Sequence, residues 1–281
     1  MTAAEMEAPR ELRKPGDTDA VTFTWADPES GLCGLARVAT GAAVDGGRSA
    51  SALAIVFSGR TTLGVLAESG EQAPPELAVV TEAPLERWTV RGSGEVAFDL
   101  VFEATTGPVS YGGRAAIVKA GGMEGYEQLC RVTGTVAGHE VSGVGQRGHS
   151  WGNPDWDKIA LTRSLGAWFE DGSGICLSTV RGVKSVNHAD EAAWGAAFVG
   201  EKEGEIDEVR LSTTSDAHER QIRAGLELYL SKDDDYPFRG VGEAVTGSTL
   251  ELGALRLDIA FFRWHVEGRT AVGRYDVIRR A

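Results

Sequence analysis

Gly143-Val144-Gly145-Gln146-Arg147-Gly148-His149-Ser150-Trp151-Gly152, followed by Asn153-Pro154-Asp155-Trp156-Asp157, lies at the middle of a 281-residue chain. The stretch satisfies two familiar patterns. Gly143, Gly145 and Gly148 fit G-x-G-x-x-G, which holds a pyrophosphate only where a buried strand runs into a helix start. Gly148, Ser150 and Gly152 fit G-x-S-x-G, the nucleophile elbow of α/β-hydrolases, with Asp233 to Asp235 and His265 downstream as acid and base. Both patterns need a helix directly after the glycines. Asn-Pro-Asp-Trp-Asp does not begin a regular one. The chain also lacks the amphipathic helices that cover a parallel sheet. The stretch therefore reads as a turn-rich strand end in an all-β protein, with a serine hydrolase built on Ser150 as the alternative to exclude.

The flanking sequence agrees. Val21-Thr22-Phe23-Thr24-Trp25 alternates as a strand, and Phe98, Leu100 and Phe102 share one face of another while Asp99 and Glu103 share the opposite face. Residues 126–136 and 140–144 form a hairpin about Ala137-Gly138-His139, and 159–168 pairs with 175–180 about Asp171-Gly172. Strands recur every ~8–12 residues to the C-terminus, as in a barrel or sandwich. A short helix is expected over residues 187–197. Residues 1–19, charged and holding Pro9 and Pro15, read as a flexible tail. The expected division is 1–19 tail, 20–124 first half and 125–281 second half, the second carrying His-Ser-Trp-Gly.

Composition narrows the function. Thirty-seven glycines suit short strands and tight turns. A net charge of −13 without a basic stripe argues against nucleic acid. Cys33, Cys130 and Cys176 are odd in number and widely spaced, so neither a disulfide framework nor a structural metal site is expected. With no secretory h-region and no long apolar span, the expectation is a cytoplasmic protein without a transmembrane segment. Oligomeric state is not legible.

Tyr126, Arg131 to Val136, Gly138, Val141 to Gly143, Gly145 and His149 to Gly152, followed by Phe169 to Gly172, resemble the carotenoid 1,2-hydratase/AttH-like group. The match covers residues 95–180, with a weaker echo at Gly268-Arg269 and Gly273-Arg274-Tyr275-Asp276. The resemblance implies two lipocalin-like antiparallel β-barrel halves packed together and relatives that include terpene cyclases and Diels–Alderases. It also implies an apolar ligand, an isoprenoid, terpenoid or polyketide, and cyclisation or hydration without a cofactor. Two positions depart from the pattern. Gly148 stands where the group has Asp before the histidine, and its Tyr-x-Asp pair falls on Cys176 and Ser178.

Within that reading His149 is the acid/base group, because imidazole exchanges protons near neutral pH. Asp155 and Asp157 flank Trp156 and would become general acids if they shared one pocket, where like charge raises a carboxyl pKa. Asp99 and Glu103 are further candidate acids if their face lines a barrel. Tyr126, Trp151, Trp156, Trp168 and Trp264 are the expected substrate-binding wall, since aromatic faces hold apolar ligands and stabilise passing cations. A non-catalytic carrier would use the same wall.

Overall fold

The computed structural model describes residues 2–43, 46–95, 97–113, 115–187, 190–200 and 202–281. Of it, 66% is strand, paired antiparallel, and 4% is helix. Helix α1 (Ala3–Glu7) precedes β1 (Thr18–Asp27), β2 (Leu32–Ala42), β3 (Arg48–Ser58), β4 (Thr61–Gly70), β5 (Leu77–Ala83), β6 (Arg87–Gly92), β7 (Phe98–Ala104) and β8 (Val109–Tyr111). Helix α2 (Ala116–Gly121) leads into β9 (Met123–Val136) and β10 (His139–Gly152). Then come β11 (Ile159–Trp168), β12 (Gly174–Gly182), β13 (Ala192–Val199), β14 (Lys202–Glu205) and β15 (Glu208–Ser215). The chain ends with β16 (Gln221–Tyr229), β17 (Phe238–Leu252), β18 (Leu255–Val266) and β19 (Arg269–Arg280).

The first sheet runs β4-β3-β2-β1-β10-β9-β7-β6-β5, and β8 pairs with β9. The second runs β14-β13-β12-β11-β19-β18-β17-β16-β15. The two share one plan. A four-strand meander and a five-strand meander are joined through the first and last strand of each sheet. In the first, β5 curls round against β2 and β3; in the second, β15 curls against β13. The glycines of the last hairpins recur with this plan. Ala137-Gly138 and Glu267-Gly268 both have positive φ, at 51° and 80° and at 47° and 77°, the backbone that a two-residue hairpin turn requires. Five residues on, a Cβ on Gly143 would strike the Ala26 carbonyl, and one on Gly273 would strike the Gly166 carbonyl. The echo at Gly268 to Asp276 is this structural correspondence.

Each sheet closes on its own core. Phe23 packs on Phe102 with ring centroids 4.9 Å apart, and Trp25 on Phe98 at 5.5 Å. In the second core Trp264 stacks on Phe262 at 5.2 Å and is fully buried. Phe98, Leu100 and Phe102 point inward, as their alternation required. Asp99 and Glu103 face outward, paired with Arg91 and Arg87, so they line no interior.

Three expectations differ from the structure. The compact units are Met1–Ser110 with Glu124–Asn153, and Tyr111–Met123 with Pro154–Ala281. The β9–β10 hairpin therefore belongs to the first unit, because β10 hydrogen-bonds to β1 and β9 to β7. Of the helix expected over 187–197, residues 188 and 189 lie outside the described residues. The stretch from Ala192 is strand β13, whose pairing with β12 overrides the helix preference of its alanines. Residues 2–17 belong to the first unit and are laid against its sheet rather than hanging free, as described below. Among the described residues, no helix is long and apolar enough to cross a membrane. Nor does any cluster of three or more His, Cys, Asp or Glu among them fit a metal ion.

Candidate active site

The antiparallel register decides which residues of the central stretch face inward. Phe23, a core residue, pairs with Arg147, Val21 with His149 and Asp19 with Trp151. Side chains alternate along a strand, so Arg147, His149 and Trp151 share the inner face of the first sheet. On β9 the same face carries Tyr126 and Gln128, in step with the core residues Cys130 and Val132. Ser150 therefore sits within a strand on the other face. Neither the elbow nor the dinucleotide loop exists, because strand β10 runs through both patterns to Gly152.

His149 is 1% exposed, and its Nε2 lies 2.6 Å from Asp19 Oδ1. The other carboxylate oxygen of Asp19 accepts from the Arg10 backbone N–H at 3.0 Å. His149 Nδ1 is buried without a protein partner among the described residues. Trp151 and Tyr126 meet the imidazole edge to face, at 5.2 and 5.5 Å between centroids. A carboxylate on Nε2–H sets the tautomer and leaves Nδ1 as the proton-exchanging atom. Such a dyad can take a proton from a bound molecule or return one, and Asp19 stabilises the imidazolium that forms between.

Beside the dyad lies a fully buried arginine. Arg147 Nη2 donates to Glu7 Oε2 at 2.8 Å, and Nη1 donates to the Tyr126 hydroxyl. The guanidinium also lies over the Trp88 and Tyr126 rings, at 5.0 and 4.9 Å. Burial raises the Tyr126 pKa, with Arg147 opposing the shift, so the phenol is neutral at physiological pH and able to donate. The N-terminal segment covers this cluster. Helix α1 begins on a reciprocal Thr2–Glu5 capping box. The Met6 carbonyl then accepts from Tyr126 at 3.4 Å, and the Arg10 guanidinium lies 4.1 Å over the Trp151 ring.

The departure at Gly148 has a spatial explanation. A Cβ there would lie 2.6 Å from Glu127 Oε2. That carboxylate, held by Gln146 Nε2 at 2.7 Å, fills the space of the missing side chain from the neighbouring strand. Cys176 and Ser178 alternate with the core residues Ile175 and Leu177 on β12 and so face away from that core.

The remaining expected site residues fall in the second unit. Asp155 and Asp157 do not share a pocket. Asp155 is bridged to Lys158 at 2.6 Å, which holds its carboxyl below the usual range rather than above it. Asp157 is exposed and accepts from Arg280 at 2.7 Å. The turn that carries both is solvated, and Trp156 on it is half-buried. Trp168 and Trp264 are fully buried. Trp264 belongs to the core of the second sheet, where Gly242 gives its ring room. Of the expected residues, the structure thus gathers His149, Tyr126 and Trp151 only.

Sequence reading missed Asp19, Arg147, Glu7 and Arg10. Two of these carried a signal. Asp19 continues the period-two series Asp19, Val21, Phe23, Trp25, and Arg147 stands two residues before His149 on the same face. Glu7 and Arg10 carried none, because nothing local ties Glu7 to Arg147, 140 positions away, or Arg10 to Trp151.

A family model described as "Domain of unknown function (DUF7064)" matches residues 3–280. No curated protein matches the sequence. Solved structures share the fold at low identity. A candidate AttH protein of Nitrosomonas europaea is 12% identical with a TM-score of 0.67, covering 97% of this chain and 97% of that one. CghA, solved with Sch210972, is 9% identical with a TM-score of 0.64, covering 95% of this chain and 89% of its own. Kievitone hydratase of Nectria haematococca is 13% identical with a TM-score of 0.62, covering 95% of this chain and 91% of that one. At such identities the likeness is one of fold, here lipocalin-like. The resemblance seen in the sequence is supported at that level.

Proposed function

The chain belongs to the DUF7064 family, and we propose that it is a cofactor-independent enzyme that binds an apolar small molecule inside the first sheet. There it would add or remove water, or close a ring, by proton transfer through His149. The observation that carries this reading is the buried Asp19–His149 pair, with Nδ1 unpartnered beside the Tyr126 and Trp151 rings. An oriented imidazole of this kind contributes about 10²–10⁴-fold to rate. The aromatic faces suit an isoprenoid or polyketide chain and the cationic character that develops along it. Two solved structures of the same fold support the class of chemistry: one is named kievitone hydratase, and CghA was solved with Sch210972.

The test begins with mass spectrometry of any ligand carried through purification, and of its hydrated, dehydrated and cyclised forms as substrates. His149→Gln keeps much of the volume and a hydrogen-bonding end. It should bind within about tenfold of wild type and lose at least about a hundredfold in turnover. Turnover unchanged in the variant removes His149 from the chemistry. A wild-type protein that binds these molecules and leaves them all unaltered is a carrier.

A further inference from the structure

His149 and Tyr126 are sealed from solvent, at 1% and 0% exposure, so no substrate reaches them unless something moves. The segment that covers them is held in an unusual way. Helix α1 buries none of its residues. Besides the contacts of Met6 and Arg10 already described, what ties it down is the Glu7 carboxylate, whose two oxygens both accept from side chains and backbone of the sheet beneath. Oε1 accepts from Trp88 Nε1 at 3.1 Å and from the Leu85 backbone N–H at 3.2 Å. Oε2 accepts from Arg147 Nη2 at 2.8 Å.

The donors are prearranged. Arg147 and Trp88 are both 0% exposed. Leu85 adopts φ 63°, a left-handed conformation that disfavours a branched side chain. Its carbonyl is fixed by Gln128 Nε2 at 3.1 Å while its N–H meets Glu7. Leu85 lies in the turn between β5 and β6, and that turn aims its amide at the Glu7 carboxylate. A buried guanidinium also demands an anion, because leaving it unpaired is strongly destabilising.

We propose that Arg147, Trp88 Nε1 and the Leu85 amide form a receptor for the carboxylate of the ligand, and that Glu7 is a tethered stand-in for it. The ligand is then an apolar carboxylic acid. Its head group exchanges with Glu7, residues 2–10 swing away, and its chain enters beside His149. The exchange is carboxylate for carboxylate, so Arg147 keeps a partner before and after. The segment can lift because it gives up few apolar contacts, the mark of a locally openable element. This inference rests on the function proposed above and names the substrate class of the same site.

Octanoate and octanol, matched in chain length, serve as probes by calorimetry on the full chain. Glu7→Ala removes the tethered competitor and should bind octanoate at least about tenfold more tightly than wild type does. It should also prefer octanoate to octanol by at least about tenfold, the scale of one charge-assisted contact. Trp88→Phe in the same background, which deletes the Nε1 donor while keeping an aromatic ring in the core, should narrow that preference. Saturating octanoate should speed trypsin cleavage after Arg10 in wild type, and octanol should not. If Glu7→Ala does not fold, Glu7→Gln makes the same comparison with the side chain's shape kept. Octanol bound as tightly as octanoate overturns the carboxylate receptor while leaving the apolar binding of the proposed function standing. Octanoate bound no more tightly by the Glu7 variants than by wild type, or by none of the proteins, also overturns it; the His149→Gln assay then decides the function on its own.

Discussion

Asp19 pairs with Trp151 across the β1–β10 ladder, yet its carboxylate reaches diagonally to His149 Nε2, 2.6 Å away. Diagonal neighbours on one face of an antiparallel pair lie within reach of such side chains. Trp151 itself meets the imidazole edge to face, at 5.2 Å between centroids.

Asp19→Asn keeps the shape of this contact and removes its charge. The variant should stay folded and lose about 10²–10⁴-fold in turnover, as when an orienting carboxylate no longer holds an imidazole tautomer. Nitrogen NMR of His149 should show the Nε2–H tautomer in wild type and a mixture in Asp19→Asn. An unchanged tautomer and unchanged rate would release Asp19 from its role as a positioning residue.

Ser150 lies in the middle of a strand, opposite Ala20, on the face away from the dyad. Ser150→Ala should therefore change stability by no more than about 0.5 kcal/mol and leave turnover intact. A fluorophosphonate probe should not label the wild-type protein at this residue. Labelling that disappears in Ser150→Ala would restore the hydrolase.

Gly143 and Gly273 occupy matching places in the two sheets, each where a neighbouring backbone carbonyl passes too close for a Cβ. Gly143→Ala and Gly273→Ala should each destabilise by about 1–3 kcal/mol, the cost of forcing atoms into filled space. Chemical denaturation reads this directly. Neutral effects at both sites would mean that the close approach is relaxed in solution.

Asp276 is buried, its Oδ1 has no partner among the described residues, and Arg274 reaches Oδ2 only at 3.3 Å. Burial pushes its pKa up to about 6 despite that arginine. An unfolded aspartate titrates near ~3.9. Between these values the folded state holds the proton that the unfolded state has lost. Its contribution to stability is therefore largest below the lower value and declines as pH rises through about 6. The decline is on the order of 3 kcal/mol, about two pKa units at ~1.36 kcal/mol each. Urea titrations of wild type and Asp276→Asn at several pH values isolate it. The wild-type stability relative to the variant should drop between pH ~4 and ~7. A flat difference would mean that Asp276 ionises freely in the folded protein.

The all-β class was legible in the sequence because it depends on local chemistry. Period-two alternation at Phe98 to Glu103 and the turn pairs Ala137-Gly138 and Glu267-Gly268 are properties of a few adjacent residues. His149 and Trp151 were also legible as a pair, since residues two apart on a strand share a face. Register and long-range closure were not, since they depend on which strand lies beside which. The pairing of β1 with β10 put Asp19 against His149, moved the central hairpin into the first unit and set Ser150 on the far face. Asp155 and Asp157, which local spacing offered as a shared site, lie instead on an exposed turn in separate ion pairs with Lys158 and Arg280. Glu7 shows the limit most plainly. In the sequence it is one acid in a charged N-terminal stretch. Only the fold brings it to Arg147, because a buried guanidinium must find its anion wherever the chain can supply one.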